Sequence, residues 1–183
     1  IFSQADAVVV QVDLAKDIIK KTIELSKKYN KKLFALVSNM SIAAERRDFL
    51  QDFDCFICNR QEAGILFSDD YSEIPREELK YIIEEKVTRA NIPAMIVTLG
   101  ADGAVYATNT GERGACPARK VIVKDTTGAG DAFCAGASIG LTYGKTFAEA
   151  IEIGSRLAAS VITSSENVCP RFLPKEFGID IEV

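Results

Sequence analysis

The chain has 183 residues, which suits one domain, and 48% of them are hydrophobic, enough to bury a core. Its formal net charge of −4 supplies no basic face for phosphate neutralisation, which argues against nucleic acid as a partner. It has no histidine, which removes Ser-His, Cys-His and His-metal mechanisms together.

No apolar run reaches the ~18 residues of a membrane span, so no membrane partner is expected. The N-terminus lacks the basic start and apolar stretch of a signal peptide. It begins with Ile1 rather than Met, which reads as a chain cut from something longer. The five cysteines (Cys55, Cys58, Cys116, Cys134 and Cys169) are odd in number and accompany no export signal, so reduced thiols and a cytoplasmic location are expected. Lys27, Lys28, Lys31 and Lys32 gather around a predicted helix end, where they serve solubility and the helix dipole.

In chain order, Ala7 to Val12 reads as a buried, valine-rich strand. Leu14 to Tyr29 has apolar residues at 14, 18, 25 and 29, with Ile19 and Ile23 beside them, which predicts a helix. Leu33 to Val37 is the next strand, and Ser41 caps a predicted helix running to about Gln51, with Glu45 in its first turn. Cys55 to Cys58 is a third strand, which makes its C-x-x-C a packing feature, and a short helix from about Arg60 to Phe67 comes after it. Pro75 opens a helix whose Leu79, Ile82, Ile83, Val87 and Ala90 line one face. Met95 to Leu99 is a fourth strand. Ala104 to Thr108, Gly114 to Ala118 and Val121 to Val123 then read as a local antiparallel patch. Two helices, about Ala129 to Tyr143 and Phe147 to Thr163, are separated by Gly144 as a stop and Thr146 as an N-cap. The tail, with Pro170 and Pro174, is irregular. This alternation predicts an α/β fold with a mostly parallel sheet covered by helices on both faces. Sheets of that kind bind ligands just beyond the carboxyl ends of their strands.

After the predicted strand at Val121 comes Asp125-Thr-Thr-Gly-Ala-Gly-Asp131-Ala-Phe133, which opens a helix. Gly128, Ala129 and Gly130 let the backbone approach a ligand closely. Their N–H groups, at the positive end of a helix dipole, form an anion hole suited to a transferring phosphoryl group. Asp131, in the first turn, is positioned to accept a proton from an attacking hydroxyl. An ordinary helix start capped by Thr127 is the alternative reading of the same residues. The string contains no Gly-Lys-Ser/Thr, so this is not a Walker A loop. Phe133 stands where the third glycine of a dinucleotide fingerprint belongs.

The nine-residue string resembles the C-terminal signature of the pfkB/ribokinase family of sugar and nucleoside kinases. The resemblance implies a ribokinase-like three-layer sandwich and an ATP-dependent phosphotransferase acting on a hydroxyl of a sugar or nucleoside. It gives Gly128 to Gly130 the charge of the γ-phosphoryl to stabilise, and makes Asp131 the general base. It also implies that Asp125 and Thr127 lie near a monovalent-cation (K+) site. Asn59-Arg-Gln-Glu62, by itself a capping box, resembles the family's Asn-x-x-Glu motif, which implies Mg2+ held at Asn59 and Glu62. Val97-Thr-Leu-Gly-Ala-Asp-Gly103, by itself a turn, is similar to the segment the family sets against ATP, which implies nucleotide contacts at Thr98, Gly100 and Gly103. Ser155 matches a family position near the adenine, and a serine facing solvent is the alternative reading.

The chain departs from the family at Glu166 and Asn167, where a glycine of the cation site is common. The resemblance covers only the family's C-terminal part. It implies that residues 1–183 are the nucleotide-binding and catalytic portion, with the N-terminal substrate-binding and lid segment absent and the isolated chain inactive. A sheet that starts in mid-fold has an open edge, which predicts self-association into a homo-oligomer. Ser38 to Ala43 resembles a loop of pseudouridine-kinase-like members. Two rival classes are a non-catalytic nucleotide-binding regulatory module and a nicotinamide-dependent oxidoreductase. The intact Asp131 argues against the first. The absence of an early glycine loop with an acidic residue on a second strand argues against the other.

Overall fold

The computed structural model describes residues 1–37, 47–164 and 172–180. The chain divides into two compact units, Ile1–Pro117 and Ala118–Val183.

In the first unit, short apolar runs form β1 (Ala7–Gln11), β2 (Lys32–Leu36), β3 (Cys55–Asn59), β4 (Ala94–Thr98), β5 (Ala104–Thr108) and β6 (Arg113–Cys116). They make one sheet in the order β1-β2-β3-β4-β5-β6. The first four strands run parallel, and β5 and β6 add antiparallel neighbours. Parallel neighbours need crossovers, which are supplied by α1 (Lys16–Lys28) between β1 and β2, and by α2 (Arg60–Phe67) with α3 (Arg76–Ala90) between β3 and β4. β4 and β5 need only a tight turn.

One face of the sheet, with Leu33, Phe56, Met95 and Val105, packs in a single core with Ile19 and Ile23 of α1, Leu66 of α2, and Leu79, Ile83 and Val87 of α3. The alternate positions Phe34, Ile57 and Ile96 are buried on the opposite face. This pleat also disposes of the C-x-x-C. Cys55 and Cys58 are three residues apart on one strand, so their side chains point to opposite faces and both are buried in packing. At the antiparallel end, Tyr106 lies opposite Gly114, and a Cβ at Gly114 would come within 2.5 Å of the Tyr106 ring. Arg113 fastens β6 to α3 through Glu84, at 2.7 Å, and through the Tyr81 ring.

In the second unit, α4 (Ala129–Thr142) and α5 (Phe147–Thr163) form a helical hairpin. Thr146 caps α5 in a reciprocal box with Glu149, and Gly144, with φ +78°, turns the chain after α4. The two helices cross closely because glycines face each other. A Cβ at Gly136 would lie 2.8 Å from the Gly154 Cα, and one at Gly154 would lie 2.7 Å from the Phe133 carbonyl oxygen. Ala132, Ile153, Leu157, Val161 and Ile179 form the core of this unit.

Three expectations change. Val121 to Val123 is not a strand: the sheet ends at β6, and the three residues are 37%, 88% and 53% exposed. Their β-branched side chains carry strand propensity, but propensity expresses a fit to a half-buried pleated surface that is missing here. The buried stripe of α1 is Ile19, Ile23 and Ser26, whereas Leu14, Ile18 and Tyr29 are substantially exposed. The helix predicted from Ser41 falls largely outside the described residues, and its described end, Arg47–Asp52, is a 3-10 segment. The Ser38 to Ala43 loop is also outside them.

Candidate functional site

The carboxyl ends of β3 and β4 lie side by side, because Asn59 and Thr98 are register partners. That brings the Asn-x-x-Glu segment next to the glycine turn. Thr98, the last residue of β4, reaches the Cys58 carbonyl with its Oγ1 at 3.5 Å. The chain then makes a 3-10 turn over Gly100–Asp102, closed by the Gly103 N–H donating to the Gly100 carbonyl and the Leu99 N–H donating to the Gly103 carbonyl. Gly100 has φ +59° and Gly103 has φ +97° with ψ −130°, conformations in which a Cβ is strained.

Asn59 caps α2. Its Oδ1 accepts from the Glu62 N–H at 2.9 Å, and Glu62 Oε2 accepts from the Asn59 N–H at 2.7 Å. The capping reading is therefore realised in full. The carboxylate still has metal chemistry to offer: Glu62 is half-buried at the strand ends, and burial raises its pKa against the lowering effect of the Asn59 N–H. Burial likewise pushes the neighbouring Cys58 thiol well above its ordinary value, with the Glu62 charge adding to it. Among the described residues, no group of three or more His, Cys, Asp or Glu side chains gathers to hold a metal. Mg2+ asks for less, one or two carboxylate oxygens with water and phosphate completing the shell, and Glu62 fits that requirement.

The second unit holds the nine-residue string. Asp125 Oδ1 accepts from the Thr127 N–H at 2.9 Å and from its hydroxyl at 2.8 Å, and these bonds hold the Asp125 carboxyl below its ordinary range. Thr127 is thus the donor to Asp125 and not the helix cap. That position belongs to Gly128, with φ +78°. The loop is anchored from behind, as the Ile162 carbonyl of α5 accepts from the Lys124 N–H at 2.8 Å. Ala129 and Gly130 form the first turn of α4. A Cβ at Gly130 would meet nothing within 4 Å, so no packing demand explains glycine there. Asp131 stands exposed in the same turn. Ser155 is half-buried on α5, one residue after the close approach of Gly154 to α4. Glu166 and Asn167 lie outside the described residues.

Sequence reasoning missed Arg60 and Asp102, although each sits inside one of these motifs. The structure joins them at 3.1 Å.

Residues 1–170 match the model of the pfkB family carbohydrate kinases. The chain is 36% identical over 163 residues to a guanosine-inosine kinase of Exiguobacterium acetylicum, covering 88% of this chain and 53% of that protein. Its fold is that of a probable sugar kinase from Rhizobium etli, with TM-score 0.79, 24% identity, and coverage of 98% of this chain and 56% of the other. It is also that of Arabidopsis thaliana ribokinase, solved with ribose and ATP, with TM-score 0.77, 21% identity, and coverage of 90% and 52%. The chain spans about half the length of the curated relatives it matches. A match over 170 of the 183 residues, with the signature string at the start of α4, makes this chain a member of the pfkB family of carbohydrate kinases.

Proposed function

We propose that this chain is the C-terminal nucleotide-binding and catalytic portion of a cytoplasmic kinase that transfers the γ-phosphoryl group of ATP to a hydroxyl of a sugar or nucleoside. The observation that carries this reading is the start of α4 within a pfkB-family chain: a left-handed Gly128, a Gly130 facing open space, and an exposed Asp131 in one turn. Asp131 takes the proton of the acceptor hydroxyl as its oxygen attacks the γ-phosphorus, and the bond to the β-phosphate oxygen breaks to release ADP. The N–H groups of Gly128 and Gly130 donate to the γ-phosphoryl oxygens as charge spreads over them, and that of Ala129, which donates to the Thr126 carbonyl at 3.2 Å in this structure, joins them by exchanging that bond. Asn59 and Glu62 would hold Mg2+, which when bound neutralises phosphate charge. Thr98 and the Gly100 to Gly103 turn contact the nucleotide, and Ser155 lies near its base. Asp125 and Thr127 carry the loop beside which a K+ ion would bind.

Within the acceptor class a nucleoside is favoured, because the relative at 36% identity is by name a guanosine-inosine kinase. The test is phosphoryl transfer from Mg-ATP to guanosine, inosine and ribose by the full-length protein, with Asp131→Asn alongside. Transfer to at least one acceptor, lost in the variant, is the expected result. Binding of ATP with no transfer to any of them would make the protein a nucleotide-binding regulatory module.

A further inference from the structure

The Arg60 guanidinium divides its hydrogen bonds between two tasks. Its Nη1 donates to the carbonyls of Tyr71 at 3.3 Å, Ser72 at 2.7 Å and Ile74 at 3.3 Å, which fixes the loop after α2. Its Nη2 donates to Asp102 Oδ2 at 3.1 Å. The side chain is only 20% exposed, whereas that of Asp102 is 67% exposed. Asp102 is held a second time, through its backbone: its carbonyl accepts from Arg76 Nη1 at 3.2 Å. The first residues of α2 and α3 thus both grip the last residue of the 3-10 turn.

That turn needs holding. Gly100 and Gly103 have positive φ and no side chains, so the segment between β4 and β5 has more conformations open to it than any other residues would allow. A planar guanidinium with five donors in a fixed fork is suited to hold a backbone segment through one nitrogen and a carboxylate through another, a geometry an ammonium does not reproduce.

We infer that Arg60, acting through Asp102, is a positioning residue for the nucleotide, holding the Gly100–Gly103 turn in its binding conformation beside Asn59 and Glu62. The inference rests on the reading of that turn as a nucleotide contact. It separates into two roles: Nη1 serves the fold, and Nη2 serves the site. Asp102→Asn weakens only the second, because it removes the charge from the acceptor of Nη2 while keeping the side-chain size and the carbonyl that Arg76 uses.

The experiment is calorimetric titration of the full-length protein and its variants with Mg-ATP, together with amide hydrogen exchange. Asp102→Asn weakens Mg-ATP binding by about 2- to 5-fold, the upper part of the range for one partly exposed charged contact. It speeds exchange at residues 100–103 but not at residues 69–75, and it leaves the melting temperature unchanged. Arg60→Lys weakens binding at least as much and also loosens residues 69–75. The double variant binds no more weakly than Arg60→Lys alone, because both act through one contact. Parent-like affinity in Asp102→Asn, or additive losses in the double variant, overturns the proposal and leaves the nucleotide reading standing. A parent chain that binds no Mg-ATP removes that reading and the proposal with it.

Discussion

Asp131 and Glu62 are both acidic residues in the first turn of a helix, yet the structure gives them different surroundings. Asp131 is exposed at the start of α4, whereas Glu62 is half-buried and bonded to the Asn59 backbone. If Asp131 is the general base, Asp131→Asn in the full-length enzyme lowers kcat by roughly 10²–10⁴ and leaves KM for ATP nearly unchanged. A residue that merely favoured the dipole would cost about 0.3–1 kcal/mol of stability and leave kcat intact. Glu62 is tested by pH. Burial raises its pKa, so its proton competes with Mg2+ at a higher pH than an ordinary glutamate's would. The half-saturating Mg2+ concentration therefore rises as pH falls, at a higher pH than an ordinary glutamate would show, and Glu62→Gln removes this dependence while raising the Mg2+ requirement throughout. The helix-start placement of both residues was legible in the sequence because their motifs are local runs of a few neighbouring positions. Arg60 was not, because its partners lie 11 to 42 residues away and only the fold brings them to it.

The glycines of α4 separate folding from function within one helix. Gly136 is required by packing, since its Cβ would strike the Gly154 backbone, and Gly136→Ala should cost about 1–3 kcal/mol of stability. Gly130 has no such neighbour. Alanine is the better helix former, so Gly130→Ala should be neutral or stabilising by up to about 0.5–1 kcal/mol. Phosphoryl transfer should nonetheless fall, because the added methyl group occupies the space a phosphoryl group needs. Chemical denaturation beside kinase assays checks the pair, and a Gly130→Ala enzyme with parental kcat would leave that glycine without a catalytic explanation. Helices of this kind were readable because caps and stops are local: α2 and α5 begin where Asn59 and Thr146 put them, and Gly144 turns the chain after α4. Val121 to Val123 misled because three consecutive β-branched side chains satisfy local preference, while strand formation depends on a partner elsewhere in the chain.

At the scale of the molecule, β1 is an edge strand whose pairing is with β2, Val9 on it is half exposed, and Ile18 on the adjoining helix is 51% exposed. Such an edge invites pairing. Sedimentation of the isolated chain should show association that grows with concentration, whereas a compact monomer at all concentrations would contradict it. Nucleotide binding does not need the acceptor. It is measured by calorimetric titration of the 183-residue chain with Mg-ATP and, separately, with NAD+. The kinase account predicts saturable binding of Mg-ATP and none of NAD+. Binding of NAD+ in preference, or of neither nucleotide by the folded chain, would contradict it.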